Sequence, residues 1–460
     1  MTVSIIILSI FTLICIAKMT IANGISKTVL ISYLVYCGIW FGVSSMNPYD
    51  LYAVSDSVYF MQFSGIIMFA LGFTFCGEMK TKNNLTTMNM IQLNLDKYKA
   101  VPVVLFPLVL LLAYYLIKYY SLVGIYGGNE ARIARFTAGG LFNSEVEALF
   151  FNYVIYPVEI CCMVIIADSI VAHKRFTITF YLSLVYIILY TLIGSGREMM
   201  IILPIFMILL RKIYIIRGSA RADLAKDNMQ NVNAVKSKSK FILLILIFIP
   251  IFALVAFIMI YLTMVRLDNN EINYENMQSG FDELCRQFVI YFVGPFRAFE
   301  LALNNNYLET SGYLLGRATF AGIDDLIGVL LICFGIKYNS ANSIIASLLQ
   351  ENQINIGTNV DFNFAYTNLM IYYFDFGMLG IVLFSFLFGY FVRKSINYFQ
   401  NNPNFFSLTI VLFLFYAMLF SAFKWSLQSS AAVILIAGAY YFSRRNTHLA
   451  AGKTTMPEST

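Results

Sequence analysis

Residues 236–264 read KSKSKFILLILIFIPIFALVAFIMIYLTM: three lysines in five residues, then an apolar run, 241–264, that carries no charge. As a helix rising about 1.5 Å per residue, such a run crosses a hydrocarbon core of about 30 Å. Inside lipid only a helix or a closed barrel satisfies the backbone. Working outward from 241–264, comparable runs fall at 3–17, 28–46, 58–76, 100–120, 146–167, 176–193, 199–216, 368–392, 405–423 and 429–443. The predicted fold is an all-α polytopic integral membrane protein with about eleven (eleven to thirteen) transmembrane helices. Composition agrees, since 12% charged residues is about half the share of a soluble domain.

The lysines before residue 241 also set the orientation, because short cytoplasmic loops carry an excess of Lys and Arg. With the N-terminus outside and the C-terminus cytoplasmic, 21 of the 31 cations fall inside against 6 of the 25 carboxylates, which leaves +15 within and −9 without. The first run has no basic residue ahead of it and no small-residue cleavage site, so it reads as a span and not as a signal peptide. Cationic loops facing anionic lipid account for the net charge of +6 without nucleic acid. The layout that follows is a seven-span bundle over 1–216, a basic cytoplasmic linker over 217–240, and an eighth span over 241–264. A large external loop takes 265–367, three more spans take 368–446, and 447–460 is a disordered cytoplasmic tail. No internal repeat is evident, which counts against a transporter built on inverted halves.

The external loop is not a polar coil. Leu284–Leu303 (LCRQFVIYFVGPFRAFELAL) has apolar residues at helical spacing, interrupted by Gly294-Pro295, and predicts an amphipathic helix lying at the interface, or one bent at the Gly-Pro. In Gly312–Ile336 an apolar run after Asp324-Asp325 is too short to span, so a re-entrant or interfacial element is expected. If it crosses together with the preceding segment, the total becomes thirteen. The loop cysteines, Cys285 and Cys333, are read as free thiols in preference to a disulfide. Both histidines, His173 and His448, fall on the cytoplasmic side, so a base at the outer face would be a carboxylate. HExxH, paired CxxC, Walker and GxSxG elements are absent from the sequence, which argues against zinc proteases, ATPases and α/β-hydrolases. No metal site or cofactor is indicated.

Outside, Arg outnumbers Lys seven to three, whereas inside Lys outnumbers Arg fourteen to seven. The planar guanidinium fork suits diphosphate and carboxylate better than a point charge does. The candidates for binding an anionic substrate are Arg197 in the turn Gly194-Ser-Gly-Arg-Glu198, Arg132 and Arg135 after the fourth span, and Arg286, Arg297 and Arg317 in the large loop. Contacts with lipid headgroups would explain each of them singly. Among the acids, Asp375 in Phe374-Asp-Phe-Gly377 lies near the outer interface, and Asp324-Asp325 and Asp282-Glu283 are adjacent pairs. Such pairs can divide acid and base roles, or act as solvated caps.

Many basic-inside spans, a G-S-x-R-E-type turn near the middle, one large external loop containing Val289–Arg297 (VIYFVGPFR), and Asn359…Asp375-Phe-Gly-Met-Leu-Gly380 ahead of an apolar span resemble the Wzy-type O-antigen polymerases, the oligosaccharide repeat unit polymerases. Arg317 and Gly328 have the Arg-x10-Gly spacing associated with that family's outer loops, while Gly-Ser-Gly-Arg departs from its commoner Gly-Ser-Arg. The resemblance implies an enzyme of the bacterial inner membrane, multi-pass, that moves a growing glycan from undecaprenyl diphosphate to a hydroxyl of the next lipid-linked repeat unit. It implies that Arg197, Arg286, Arg297 and Arg317 bind diphosphate or acceptor lipid, and that Asp324, Asp325 or Asp375 activates the attacking hydroxyl. Implied partners are the undecaprenyl-diphosphate-linked oligosaccharide, membrane lipid, and a chain-length regulator and flippase of the same pathway. A lipid-linked oligosaccharide flippase and an O-antigen ligase are the alternatives. The large loop counts against the first, and the lack of an external His against the second.

Overall fold

A computed structural model describes residues 2–21, 24–77, 100–126, 131, 140–173, 176–194, 198–226, 256–257, 259–261, 263–264, 271–349, 354–358, 360–362 and 367–453. Among these, five helices are long and apolar enough to cross a bilayer, and three shorter apolar helices accompany them. The chain is a helical, multi-pass membrane protein. Most of the run 241–264, and with it Arg132, Arg135 and Arg197, lies outside the described residues.

The helices in chain order are α1 (Thr2–Thr20), α2 (Ile25–Ser45), α3 (Asp56–Phe75), α4 (Ala100–Tyr126), α5 (Glu145–Val171), α6 (Ile178–Gly194) and α7 (Glu198–Lys226). There follow α8 (Tyr274–Asn304), α9 (Tyr307–Ser311), α10 (Ala321–Cys333), α11 (Ala341–Leu349), α12 (Asn368–Phe376), α13 (Met378–Asn401), α14 (Phe405–Phe420) and α15 (Ser430–Lys453). One antiparallel hairpin, β1 (Ile354–Gly357) with β2 (Val360–Phe362), interrupts the helices, with Ile354 opposite Phe362. The chain forms two compact units: Met1–Lys99, Phe150–Cys161 and Val289–Thr460 make one; Ala100–Leu149 and Cys162–Phe288 make the other.

The core of the first unit is the pair α3 and α13. A Cβ on Gly72 would lie 1.9 Å from the Phe386 carbonyl oxygen, and one on Gly389 would lie 2.0 Å from that of Phe69. Glycine alone lets the two backbones approach this closely, as small residues do at helix contacts within membranes. Phe69 and Phe388 fill the space between them, ring centroids 5.5 Å apart. In the second unit Lys118 donates to Asn143 at 2.7 Å, and the Asn143 N–H reaches Glu147 at 2.8 Å. Tyr214 donates to the buried Asp168 at 2.5 Å.

Several boundaries differ from the sequence reading. The run 368–392 is two helices and not one span: Gly377, at φ +60°, reverses the chain between α12 and α13. The two then pack so tightly that a Cβ on Gly380 would meet the Tyr372 carbonyl oxygen at 2.0 Å. α8 runs as one helix through Gly294-Pro295, and it starts ten residues ahead of the expected Leu284. Helix continues over 217–226, the start of the expected linker, and over 447–453, the start of the expected disordered tail. The hairpin had no counterpart in the sequence reading. It rests on Gly294, where a Cβ would meet Ile356 and Phe362 at 2.9 Å. None of the seven cysteines, all among the described residues, is in a disulfide.

Candidate functional site

Two turns of the first unit are built around carboxylates. Leu315 and Gly316 take positive φ (+54° and +92°), which points successive backbone N–H groups to one side. Into that concavity comes Asp375, wholly buried at the end of α12. Its Oδ1 accepts from Gly316 N–H at 2.8 Å and Ala318 N–H at 2.9 Å, and its Oδ2 from Thr319 N–H at 2.7 Å. Trp425 Nε1 closes the turn by donating to the Thr319 carbonyl at 2.7 Å. A buried carboxylate needs such donors. Those three donors make Asp375 an anchor for residues 316–319.

Two residues past the turn, α10 begins, with Asp324 in its first helical turn and Asp325 directly after it. The chain reverses at Gly335 (φ +74°) and returns beside α10, bringing Tyr338–Asn342 back to those two acids. Asp324 becomes the centre of a clasp. Its Oδ1 takes Arg317 Nε at 3.0 Å and the Tyr338 hydroxyl, and its Oδ2 takes Arg317 Nη2 at 3.3 Å and Ala341 N–H at 2.7 Å. Arg317 also donates through Nη2 to the Asn339 carbonyl at 2.6 Å, and its guanidinium lies 5.1 Å from the centre of the Tyr338 ring. Beside the clasp, Asn342 Nδ2 donates to Asp325 at 2.5 Å and to the Gln428 carbonyl at 3.2 Å, while Gln428 Nε2 donates back to Asn342 Oδ1.

Burial alone would raise the Asp324 carboxyl. The hydrogen bonds from Arg317, Tyr338 and Ala341 outweigh it and hold the group below the ordinary carboxylate value. Its hydrogen bond to Asp324 stabilises the Arg317 cation in turn, raising its pKa. Partial burial and the donation to Asp324 raise the Tyr338 phenol, so Tyr338 remains a donor.

Both Asp324 oxygens are thus occupied, whereas Asp325 accepts from Asn342 alone among the described residues. Arg317 is 37% exposed, and no described residue accepts from its Nη1. The cluster offers an oriented guanidinium edge and, one residue beyond its anchor, a carboxylate with room for another donor. That pairing can bind an oxyanion and take up a proton.

The remaining candidates go elsewhere. Arg297 is 1% exposed and engages all five N–H groups inside the protein: Nε on the Tyr52 carbonyl, Nη1 on Ser44 Oγ and the Val293 carbonyl, Nη2 on the Ser44 carbonyl and Asn47 Oδ1, each at 2.8–2.9 Å. Burial lowers its pKa, yet a guanidinium stays charged. It fixes the α2–α3 connection, where Asn47, Tyr49 and Asp50 all take positive φ, and has no donor left for a diphosphate. Arg286, in the second unit, pairs through Nε with Glu283 at 2.6 Å on the same helix. Among the described residues no group of His, Cys, Asp and Glu could hold a metal ion.

The sequence reading brought out Arg317, Asp324 and Asp325, and the structure gathers these three. It missed Tyr338, Asn342 and Gln428. The one available signal was their position, polar residues directly ahead of or between apolar helices. Comparison with family models, with curated proteins and with solved structures yields no match.

Proposed function

We propose that this protein is a glycosyltransferase of the bacterial cytoplasmic membrane that polymerises lipid-linked oligosaccharide repeat units at the outer face, its N-terminus outside and its C-terminus in the cytoplasm. The observation that supports the reading is that Arg317, whose Nη1 has no acceptor among the described residues, is held by Asp324, and that the next residue, Asp325, accepts from Asn342 alone among them, in the segment that charge patterning assigns to the outside. The sugar–oxygen bond to undecaprenyl diphosphate breaks as the acceptor hydroxyl bonds to the same anomeric carbon. The hydroxyl proton passes to Asp325, and the diphosphate leaves with its charge on Arg317. A diphosphate is already a good leaving group, so a fixed cation supplies much of the catalysis. Asp324 holds Arg317 in place, and Asp375 holds the turn that carries it.

The test is a strain whose chromosomal copy carries Asp325→Asn or Arg317→Gln, with surface glycan resolved by length and protein amount checked by immunoblot. A polymerase defect leaves one repeat unit on the surface lipid. A flippase or ligase defect leaves none, and unchanged long chains from normally expressed variants would remove the assignment.

A further inference from the structure

α10 is amphipathic in the reverse of the soluble sense. Asp325, with Asn342 and Gln428, lies on its protein side, and Gly322 packs against the head of α15, where a Cβ would meet the Ser429 carbonyl oxygen at 2.6 Å. On the opposite face Ile323, Ile327, Leu330 and Phe334, spaced at four, three and four residues, are 44–81% exposed. The helix has 13 residues, about 20 Å, too short to span. At its tip Phe334 and Ile336 flank the Gly335 reversal, and both are exposed.

Two features say what covers this face. Phe320, itself exposed, contacts the buried Phe384 edge-on at 5.9 Å and so sets the start of the stripe beside α13. There Leu379, Leu383, Leu387 and Phe391 form a second exposed apolar stripe, on a helix long enough to cross a bilayer. Both stripes are exposed and apolar, as the lipid-facing sides of membrane helices are. At the edge of the α10 stripe stands positive charge: the open Nη1 edge of Arg317, and the exposed Lys337 on the return segment beside Tyr338. Neither Nη1 nor the Lys337 ammonium has an acceptor among the described residues.

We infer that α10 is a lipid-facing limb that seats one anionic, phosphate-bearing lipid, with the hydrocarbon chain along Ile323–Phe334 and the headgroup phosphate on Arg317 Nη1 and Lys337. The inference deepens the glycosyl-transfer reading by giving its lipid substrate a track into the clasp. It stands separately, because lipid preference is measurable in a protein that transfers no sugar.

The experiment uses full-length protein in nanodiscs, with spin-labelled phosphatidylglycerol or phosphatidylcholine as the reporter of protein-bound lipid. A second arm places an environment-sensitive fluorophore at Ile327→Cys after the exposed Cys15 and Cys333 are changed to Ser. The expected result is a preference for the anionic lipid that falls roughly tenfold in Arg317→Gln, the magnitude of one charged hydrogen bond. Lys337→Gln, which breaks no contact in the clasp, weakens it in the same direction. The fluorophore is expected to be quenched by lipid labelled in the acyl chain and not by aqueous iodide. Equal binding of the two lipids, or displacement of the anionic lipid by millimolar inorganic phosphate alone, overturns the headgroup site. Iodide quenching at position 327, or cross-linking of position 327 to a second copy of the chain, overturns the lipid-facing limb.

Discussion

Asp375 holds the Thr319 N–H at 2.7 Å while Trp425 holds the carbonyl of the same residue at 2.7 Å, so one peptide turn is gripped from the end of α12 and from the α14–α15 connection at once. The grip places Arg317 two residues away, and Arg317 in turn meets Asp324. Positioning reaches the candidate site through backbone hydrogen bonds, and the acid that supplies them is itself fully enclosed.

Asp375→Asn tests that division of labour. An amide keeps one acceptor oxygen and turns the other toward N–H groups as a donor, so one hydrogen bond is lost and an N–H is left facing another. The cost is about 2–3 kcal/mol. A lower melting temperature in detergent, together with a glycan defect that restored expression repairs in part, is expected. A stable protein with no activity would assign Asp375 to chemistry instead.

Arg297 and Arg286 make a contrasting pair. Arg297→Met leaves five oxygen acceptors without their donor in a buried loop, and a loss of several kcal/mol is expected. Arg286→Gln removes a half-exposed pair within one helix, worth about 0–1 kcal/mol. Fluorescence-detected size-exclusion profiles after heating should show the first variant aggregated and the second close to the parent.

The clasp should respond to acid. Asp324 has its folded-state pKa below the unfolded value, so its contribution to stability is complete above the ordinary carboxylate range. It is lost as pH falls through the lowered folded value. The melting temperature of the parent should therefore decline between neutral and strongly acid pH by more than that of Asp324→Asn, which has no such proton to bind. Parallel curves for the two proteins would show that the clasp adds no pH-linked stability.

Two glycines within helices should behave in opposite ways. Gly389→Ala drives a Cβ into the Phe69 carbonyl and must part α3 from α13, a loss of more than about 3 kcal/mol. Gly438→Ala in α15 meets nothing within 4 Å and should be neutral or stabilising by about 0.5–1 kcal/mol. Unfolding of the two single variants in a denaturant series checks both.

Much of the helical framework was legible because an uncharged run of bilayer length has few other readings. What such a run does not reveal is whether its apolar surface meets lipid or protein. That is why 368–392 read as one span: α12 is buried among its neighbours, and its residues look no different from those of α13. Arg297 read as a ligand-facing cation because three of its five acceptors are backbone oxygens, which leave no trace in residue identity. Arg317 and the Asp324-Asp325 pair were visible as charges in an apolar context. The residues that complete their clasp return from 338–342 and 428, and no local pattern links those segments.

The Arg297 knot also constrains how the chain can be made. Ser44 and Arg297 stand 253 residues apart, so a ribosome has long since released α2 and α3 when their fifth-wheel loop finally receives the guanidinium that organises it. Until then Ser44 has only its local partners among the described residues, Asn47 N–H on its carbonyl and the Tyr59 hydroxyl on its Oγ, and the connection lacks the cation that ties it to α8. Assembly of the first unit is therefore a late, long-range event.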